Sequence, residues 1–244
     1  MEINKIYLGD AYQLIKKIPE KSVDLIITDP PYELGSVGRN TSFLKNRKGG
    51  YKSELQNNNL NNGIDLQILD DFVRVMKKIN IYIWCNKEQI YDYLTYFVKE
   101  HKCNWEMIIW AKDNPPPFTC GHYLKDKEYC LFFWEKGVKV NPTYATGKTV
   151  YITSTNTYDK NNYLHPTIKD IQIVENLIKN SASSGQLVLD AFVGSGTVCL
   201  AAKHLGLNYI GFEINEKYYK IAVDRLQGIN QKGELNLFDL DYDL

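Results

Sequence analysis

The sequence predicts one large α/β domain organised on an open sheet. Short apolar, β-branched runs such as Val23-Asp24-Leu25-Ile26-Ile27 and Leu187-Val188-Leu189 read as buried strands. They alternate with helix-length amphipathic stretches, for example Leu66 to Lys78 with Leu66, Leu69, Phe72, Val73 and Met76 on one face. A chain of 244 residues with 44% hydrophobic content buries a sizeable single core.

The elements follow in order. Lys5 to Asp10 reads as a first strand, and Ala11 to Ile18 as a helix closed by Pro19. After the Val23 to Ile27 strand comes a Gly/Asn/Ser-rich segment, then the Leu66 helix, a strand from Ile79 to Cys85 and a helix from Lys87 to His101. Strands Trp105 to Ala111 and Tyr129 to Trp134 are joined by Lys112-Asp113-Asn114-Pro115-Pro116-Pro117-Phe118. The pattern then loosens into a Thr, Tyr, Asn and Lys-rich insert at about 136–163, expected to be irregular. Helix Ile171 to Lys179, the Leu187 strand, helix Val198 to Leu205, strand Tyr209 to Phe212 and helix Glu216 to Gln227 complete the chain.

Two stretches carry chemistry. In Thr28-Asp29-Pro30-Pro31-Tyr32 the Asp falls where a buried strand ends, the position at which open α/β sheets bind ligands. The prolines fix their own φ and push the preceding residues toward extended geometry, which holds the Asp29 carboxylate, the Pro30 carbonyl and the Tyr32 ring in set directions. Two rigid acceptors beside an aromatic plate suit an exocyclic amine on a nucleobase, stacked on Tyr32 after leaving its helix. A plain Pro-Pro turn with an Asx cap uses the same residues, and the second stretch argues against it.

That stretch is Leu187 to Thr197, a strand ending at Asp190 and running through Phe192-Val193-Gly194-Ser195-Gly196-Thr197 into a helix. Its glycines allow close backbone approach, and a helix N-terminus offers free N–H groups. About 20 residues on, the next strand ends in Glu213, placed to accept from both ribose hydroxyls. The third glycine of a dinucleotide fingerprint is missing, with Val198 or Cys199 in its place.

Together, Asp29-Pro30-Pro31-Tyr32 and Phe192-Val193-Gly194-Ser195-Gly196 resemble the signatures of amino-group DNA methyltransferases, and their order resembles the circularly permuted beta class. The resemblance spans about Ile6 to Leu226. It implies a Rossmann-like, mostly parallel, doubly wound sheet forming a single domain over residues 1–244, S-adenosylmethionine as cofactor, and double-stranded DNA as substrate. Asp29, Pro30, Pro31 and Tyr32 are then catalytic. Asp190 lies near the cofactor's amino group, Glu213 near its ribose, and Phe192, Gly194, Ser195, Gly196 and Thr197 around its methionine. Asp10 is placed near the adenine ring, although its position equally suits a helix cap. Leu164-His165-Pro166-Thr167-Ile168-Lys169 resembles the His-Pro-Thr-X-Lys-Pro motif, in which His165, Thr167 and Lys169 help hold the methionine carboxylate. Asp170 replaces its last proline, a departure that weakens the helix-start signal. Adenine N6 is the expected target, because Asp-Pro-Pro-Tyr is commoner in N6-adenine members than in N4-cytosine ones. Cytosine N4 and a DNA-binding subunit with a vestigial site are the alternatives. Family relatives are often dimers and serve restriction systems, so a homodimer and a cognate restriction endonuclease are expected partners.

Net charge is zero, so DNA affinity requires segregated positive charge. Arg39, Lys45, Arg47, Lys48 and Lys52 follow the catalytic motif in a basic loop at about 33–64 with no acidic residue between Gly38 and Ser53. That run is expected to contact DNA, with Phe118 against the extruded base and the 136–163 insert reading base edges. No apolar run approaches the roughly 18 residues of a membrane span, and no signal-peptide pattern opens the chain, so a cytoplasmic protein without membrane contact is expected. Five cysteines without a Cys-X-X-Cys pair and four scattered histidines predict reduced thiols and no metal.

Overall fold

The computed structural model describes residues 1–31, 64–115, 121, 123–154, 162–163, 168–230 and 232–235. Its strands are β1 (Lys5–Leu8), β2 (Leu25–Thr28), β3 (Asn80–Cys85), β4 (Asn104–Lys112), β5 (Lys127–Trp134), β6 (Val150–Thr153), β7 (Leu187–Asp190) and β8 (Asn208–Glu213). The helices are α1 (Ala11–Leu14, extended by a 3-10 turn Ile15–Lys17), α2 (Ile68–Val75), α3 (Ile90–Tyr93, continuing as the π-helical Leu94–Glu100), α4 (Ile171–Ser181), α5 (Thr197–His204) and α6 (Glu216–Leu226).

All eight strands join one sheet in the order β1-β8-β7-β2-β3-β5-β4-β6. Every pairing is parallel except β3 with β5 and β5 with β4. The central strands are apolar without alternation because helices cover both faces. On one face Ile26, Ile81, Ile83, Leu131 and Phe133 pack against Ala11, Ile15, Phe72, Tyr93 and Phe97 of α1, its 3-10 turn, α2 and α3. On the other, Leu25, Ile27, Tyr82, Trp84 and Phe132 pack against Ile173, Leu177, Val198, Ala202 and Ala222 of α4, α5 and α6. This is the expected doubly wound, mostly parallel arrangement.

Two sequence expectations change. The insert is not wholly irregular, since Val150–Thr153 forms β6, an edge strand parallel to β4. Four residues between polar flanks give too short a pattern to stand out, and the Trp110 indole helps fix the strand by donating to Thr153 Oγ1 at 2.7 Å. Nor does Asp170 weaken the start of α4. Its carboxylate caps the helix, accepting from the Gln172 N–H at 2.9 Å, which a proline cannot do. Among the described residues no helix is long and apolar enough to cross a membrane.

Candidate active site

Winding reverses between β2 and β7. From β7 the chain passes through α5 to β8 on one side, and from β2 it reaches β3 on the other. The two strands are clipped at both ends. At the start of β2 the Asp24 carboxylate accepts from the Leu187 N–H at 3.0 Å and from Lys77 Nζ at 2.8 and 2.9 Å. At the carboxyl ends the buried Thr28 hydroxyl donates to Asp190 Oδ1 at 3.0 Å. Both sequence motifs therefore emerge side by side at the switch point, where α/β sheets open a crevice for ligands.

Asp29 follows the last residue of β2, and its Oδ2 lies 2.9 Å from Lys169 Nζ. The same ammonium reaches Glu128 Oε2 on β5 at 2.6 Å and sits 4.8 Å from the centre of the Trp84 ring. Glu128 also pairs with Lys112 at the end of β4. Burial pushes the Glu128 carboxyl up, but the two lysines outweigh it and hold it at about 2. Beyond Asp29, the Gln89 side-chain amide approaches the Pro31 carbonyl at 3.5 Å.

On the β7 and β8 side, the Asp190 carboxylate accepts from the Phe192 N–H at 3.0 Å as well as from Thr28, which shapes the first bend of the glycine turn. Burial pushes this carboxyl up to about 7, with Asp29 and Glu213 adding to the rise. Glu213 Oε2 accepts from the Gly194 N–H at 2.7 Å and Oε1 from the Asn215 N–H at 2.8 Å. Burial raises this carboxyl too, and those N–H groups oppose the rise. Each carboxylate oxygen has a second lone pair, so Glu213 can hold the turn and accept from a vicinal diol at once.

Gly194 and Gly196 have φ of +54° and +84°, and Gly196 opens α5. A Cβ on Gly196 would stand 3.0 Å from Ala222 Cβ, so glycine is required for both backbone angle and space. Opposite Asp190 in the sheet, Gly211 leaves room for the turn to cross, because a Cβ there would meet Val193 Cγ2 at 2.5 Å. From α6 the buried Arg225 donates to Thr197 Oγ1 at 2.8 Å and lies 5.2 Å over the Tyr163 ring, and Ser195 Oγ stands 3.3 Å from Thr197 Oγ1. Asp10 caps α1 through the Tyr12 N–H at 3.0 Å, and the Tyr12 ring meets Phe192 edge-on.

The structure thus brings Asp29, Pro30, Pro31, Lys169, Asp190, Phe192, Gly194, Ser195, Gly196, Thr197 and Glu213 to the carboxyl ends of β2, β7 and β8, with Asp10 just past β1. Tyr32, His165, Thr167, Phe118 and the basic-loop residues Arg39, Lys45, Arg47, Lys48 and Lys52 lie outside the described residues. Sequence reasoning missed Thr28 as a clip, Glu128 and Lys112 as partners of the Asp29 region, and Arg225 under the glycine turn. Glu128 had one usable signal, an acidic residue at the border of an otherwise apolar strand; Arg225 reads on the helix as an ordinary surface charge. Among the described residues no group of three or more His, Cys, Asp or Glu could hold a metal ion.

A carboxylate on a Pro-Pro turn, set beside a nucleoside-type half-sheet at the switch point of an eight-stranded sheet, defines a Rossmann-like methyltransferase. The family model for N6 and N4 DNA methylases matches residues 23–224, and the chain belongs to this DNA methylase family. It is 29% identical over 240 residues to the type II methyltransferase M2.LlaDCHI of Lactococcus lactis subsp. cremoris, covering 89% of this chain and 87% of that protein. It is also 29% identical over 259 residues to M.HpaI of Haemophilus parainfluenzae, covering 96% and 76%. Among solved structures, the M1.HpyAVI–SAM complex superposes with a TM-score of 0.67 at 27% identity, covering 91% of this chain and 98% of that one. The cytosine-N4-specific PvuII DNA methyltransferase shares the fold, with a TM-score of 0.68 at 18% identity, covering 98% and 87%.

Proposed function

We propose that this protein transfers a methyl group from S-adenosylmethionine to the N6 amino group of adenine in double-stranded DNA, as the modification half of a restriction system. The observation that carries the reading is the adjacency of two acidic strand ends, Asp29 after β2 and Asp190 closing β7, tied through Thr28. Family membership and the SAM complex of a structural relative support the cofactor. So does the site: a glycine turn with two positive-φ positions and a carboxylate that already gathers its N–H groups fit a nucleoside with a diol. The choice of adenine rests on Asp29 standing where N4-cytosine members more often carry serine.

When bound, S-adenosylmethionine supplies an electrophilic methyl group by giving up the carbon's bond to the sulfonium sulfur and leaving as the neutral thioether. Glu213 would hold the ribose, Asp190 the adenine side, Asp10 the ring edge, and the Gly194–Thr197 turn with His165 and Thr167 the amino-acid end. Asp29 and the Pro30 carbonyl accept the N–H groups of the target amine, whose lone pair is otherwise delocalised into the base. Tyr32 stacks on the flipped base, and the basic loop with Phe118 steadies the DNA around it. Asp29 would accept the one proton that the methylated nitrogen sheds, on its way to solvent. Positioning and acceptor dipoles supply most of the rate, with no covalent enzyme intermediate.

The test is transfer of labelled methyl to unmethylated duplex DNA, single-stranded DNA and RNA, followed by digestion to nucleosides. Label in N6-methyladenine from duplex DNA is expected. Label in N4-methylcytosine would overturn the base assignment, and label in RNA alone would overturn the substrate.

A further inference from the structure

We propose that Glu128 and Lys169 are positioning residues for the acceptor carboxylate: Glu128 fixes the Lys169 ammonium, and Lys169 fixes Asp29. The inference rests on the methyltransferase reading above and assigns the lysine of the His165–Lys169 motif to the target amine's side of the site. The contacts form a chain of alternating charge. Lys112 pairs with Glu128, Glu128 with Lys169 at 2.6 Å, and Lys169 with Asp29 Oδ2 at 2.9 Å. Aromatic faces lie against both ammonium groups, Lys112 being 4.7 Å from the Trp110 ring centre and Lys169 4.8 Å from that of Trp84.

Three features make this more than a surface ion pair. The Lys169 side chain is only 9% exposed, so its charge is shielded from water and its geometry is set by protein partners. Glu128 comes from the antiparallel strand β5, two strands away from β2 across β3, so a rigid sheet supports the anchor. And Asp29 directly follows the last residue of β2, where the ammonium meets its Oδ2 at 2.9 Å and so bears on the plane of the carboxylate. Small errors in such a plane are costly, since a misplacement of about 1 Å can slow a reaction roughly 100-fold. Lys169 contacts both carboxylates and so links Glu128 to Asp29.

The experiment compares the wild-type chain with E128Q, K169M, K169R and the E128Q/K169M double variant. Single-turnover methyl transfer to duplex DNA and the Kd for S-adenosylmethionine alone are measured for each. E128Q is expected to slow transfer by about 10- to 100-fold with little change in KM for DNA. K169M should be at least as slow, K169R partly restored, and the double variant no slower than K169M, because the two residues act in series. Cofactor Kd should stay unchanged in all four, which also shows that each variant is folded. A cofactor Kd weakened about tenfold or more in K169M would put the lysine on the cofactor and overturn the assignment. Multiplying losses in the double variant, or a full rate in E128Q, would overturn the series arrangement. A wild-type chain that transfers methyl to no nucleic acid overturns the functional reading and this inference together; active wild type with unimpaired E128Q overturns this inference alone.

Discussion

Thr28 Oγ1 donates to Asp190 Oδ1 across 3.0 Å, joining the ends of β2 and β7 at the point where the sheet reverses its winding. Both groups are buried, so the bond fixes the spacing between the turn that carries Asp29 and the turn that carries Gly194. Thr28→Val keeps the shape and removes the donor. It should cost about 1–3 kcal/mol in urea denaturation, because the carboxylate is left with one fewer buried donor. Its effect should reach cofactor affinity as well, since Asp190 also shapes the bend at Phe192. Unchanged stability in the variant would show that the two strand ends are held by packing alone.

How much of this was legible beforehand follows from where the information sits. Strands β2 and β7 and their carboxyl-end acids are written in contiguous residues, with local turn chemistry at Pro30, Pro31, Gly194 and Gly196, and so could be read directly. Glu128, Lys169 and Asp29 are spread over 140 positions of sequence and meet only because β5 inserts antiparallel beside β3. Arg225 was illegible for a similar reason. Its helix pattern marks an apolar face, and only the packing of α6 against the glycine turn shows that a charge closes that face.

Asp190 makes stability depend on pH in a direction opposite to most carboxylates. Burial raises its folded value to about 7, against about 3.9 in an unfolded chain. Between those values the native state keeps a proton that the unfolded chain has released. The stabilising contribution is therefore full below about pH 3.9 and is lost as pH rises through about 7. Asp190→Asn retains an oxygen able to accept from Thr28 and Phe192 and removes the titration. Melting temperatures of the cofactor-free proteins from about pH 5 to about pH 8 should fall less in the variant than in wild type. Parallel curves would mean that Asp190 ionises normally in the fold.

Arg225 supports the other side of the same turn. Its guanidinium donates to Thr197 Oγ1 at 2.8 Å and toward the Ser195 carbonyl at 3.4 Å while stacking over Tyr163. Arg225→Met keeps much of the packing and loses the donors, so about 1.5–3 kcal/mol of stability should go with it. Arg225→Lys retains charge without the planar fork and should fall between the two. The discriminating measurement is cofactor Kd beside urea stability. Loss of both together supports a brace under the turn, and loss of stability with intact affinity would confine Arg225 to the core.

The two halves of the site should separate by mutation. Asp29→Ala removes the acceptor carboxylate and leaves Lys169 with Glu128, while Gly194 keeps its bond to Glu213 and Asp190 keeps its bonds to Thr28 and Phe192. It should abolish methyl transfer and spare cofactor binding. Gly194→Val should do the reverse. The position has φ +54°, where a β-branched residue is strained, and its N–H is held 2.7 Å from Glu213 Oε2, so the turn must shift away from that carboxylate. Cofactor Kd should rise by about tenfold or more, a loss of about 1.4 kcal/mol, with affinity for DNA retained. Calorimetric titration of cofactor into each variant, paired with the labelled-methyl assay, reads both arms. An Asp29→Ala protein that still methylates DNA near the wild-type rate would remove Asp29 from the chemistry, and a Gly194→Val protein with normal cofactor affinity would move the nucleoside away from the glycine turn.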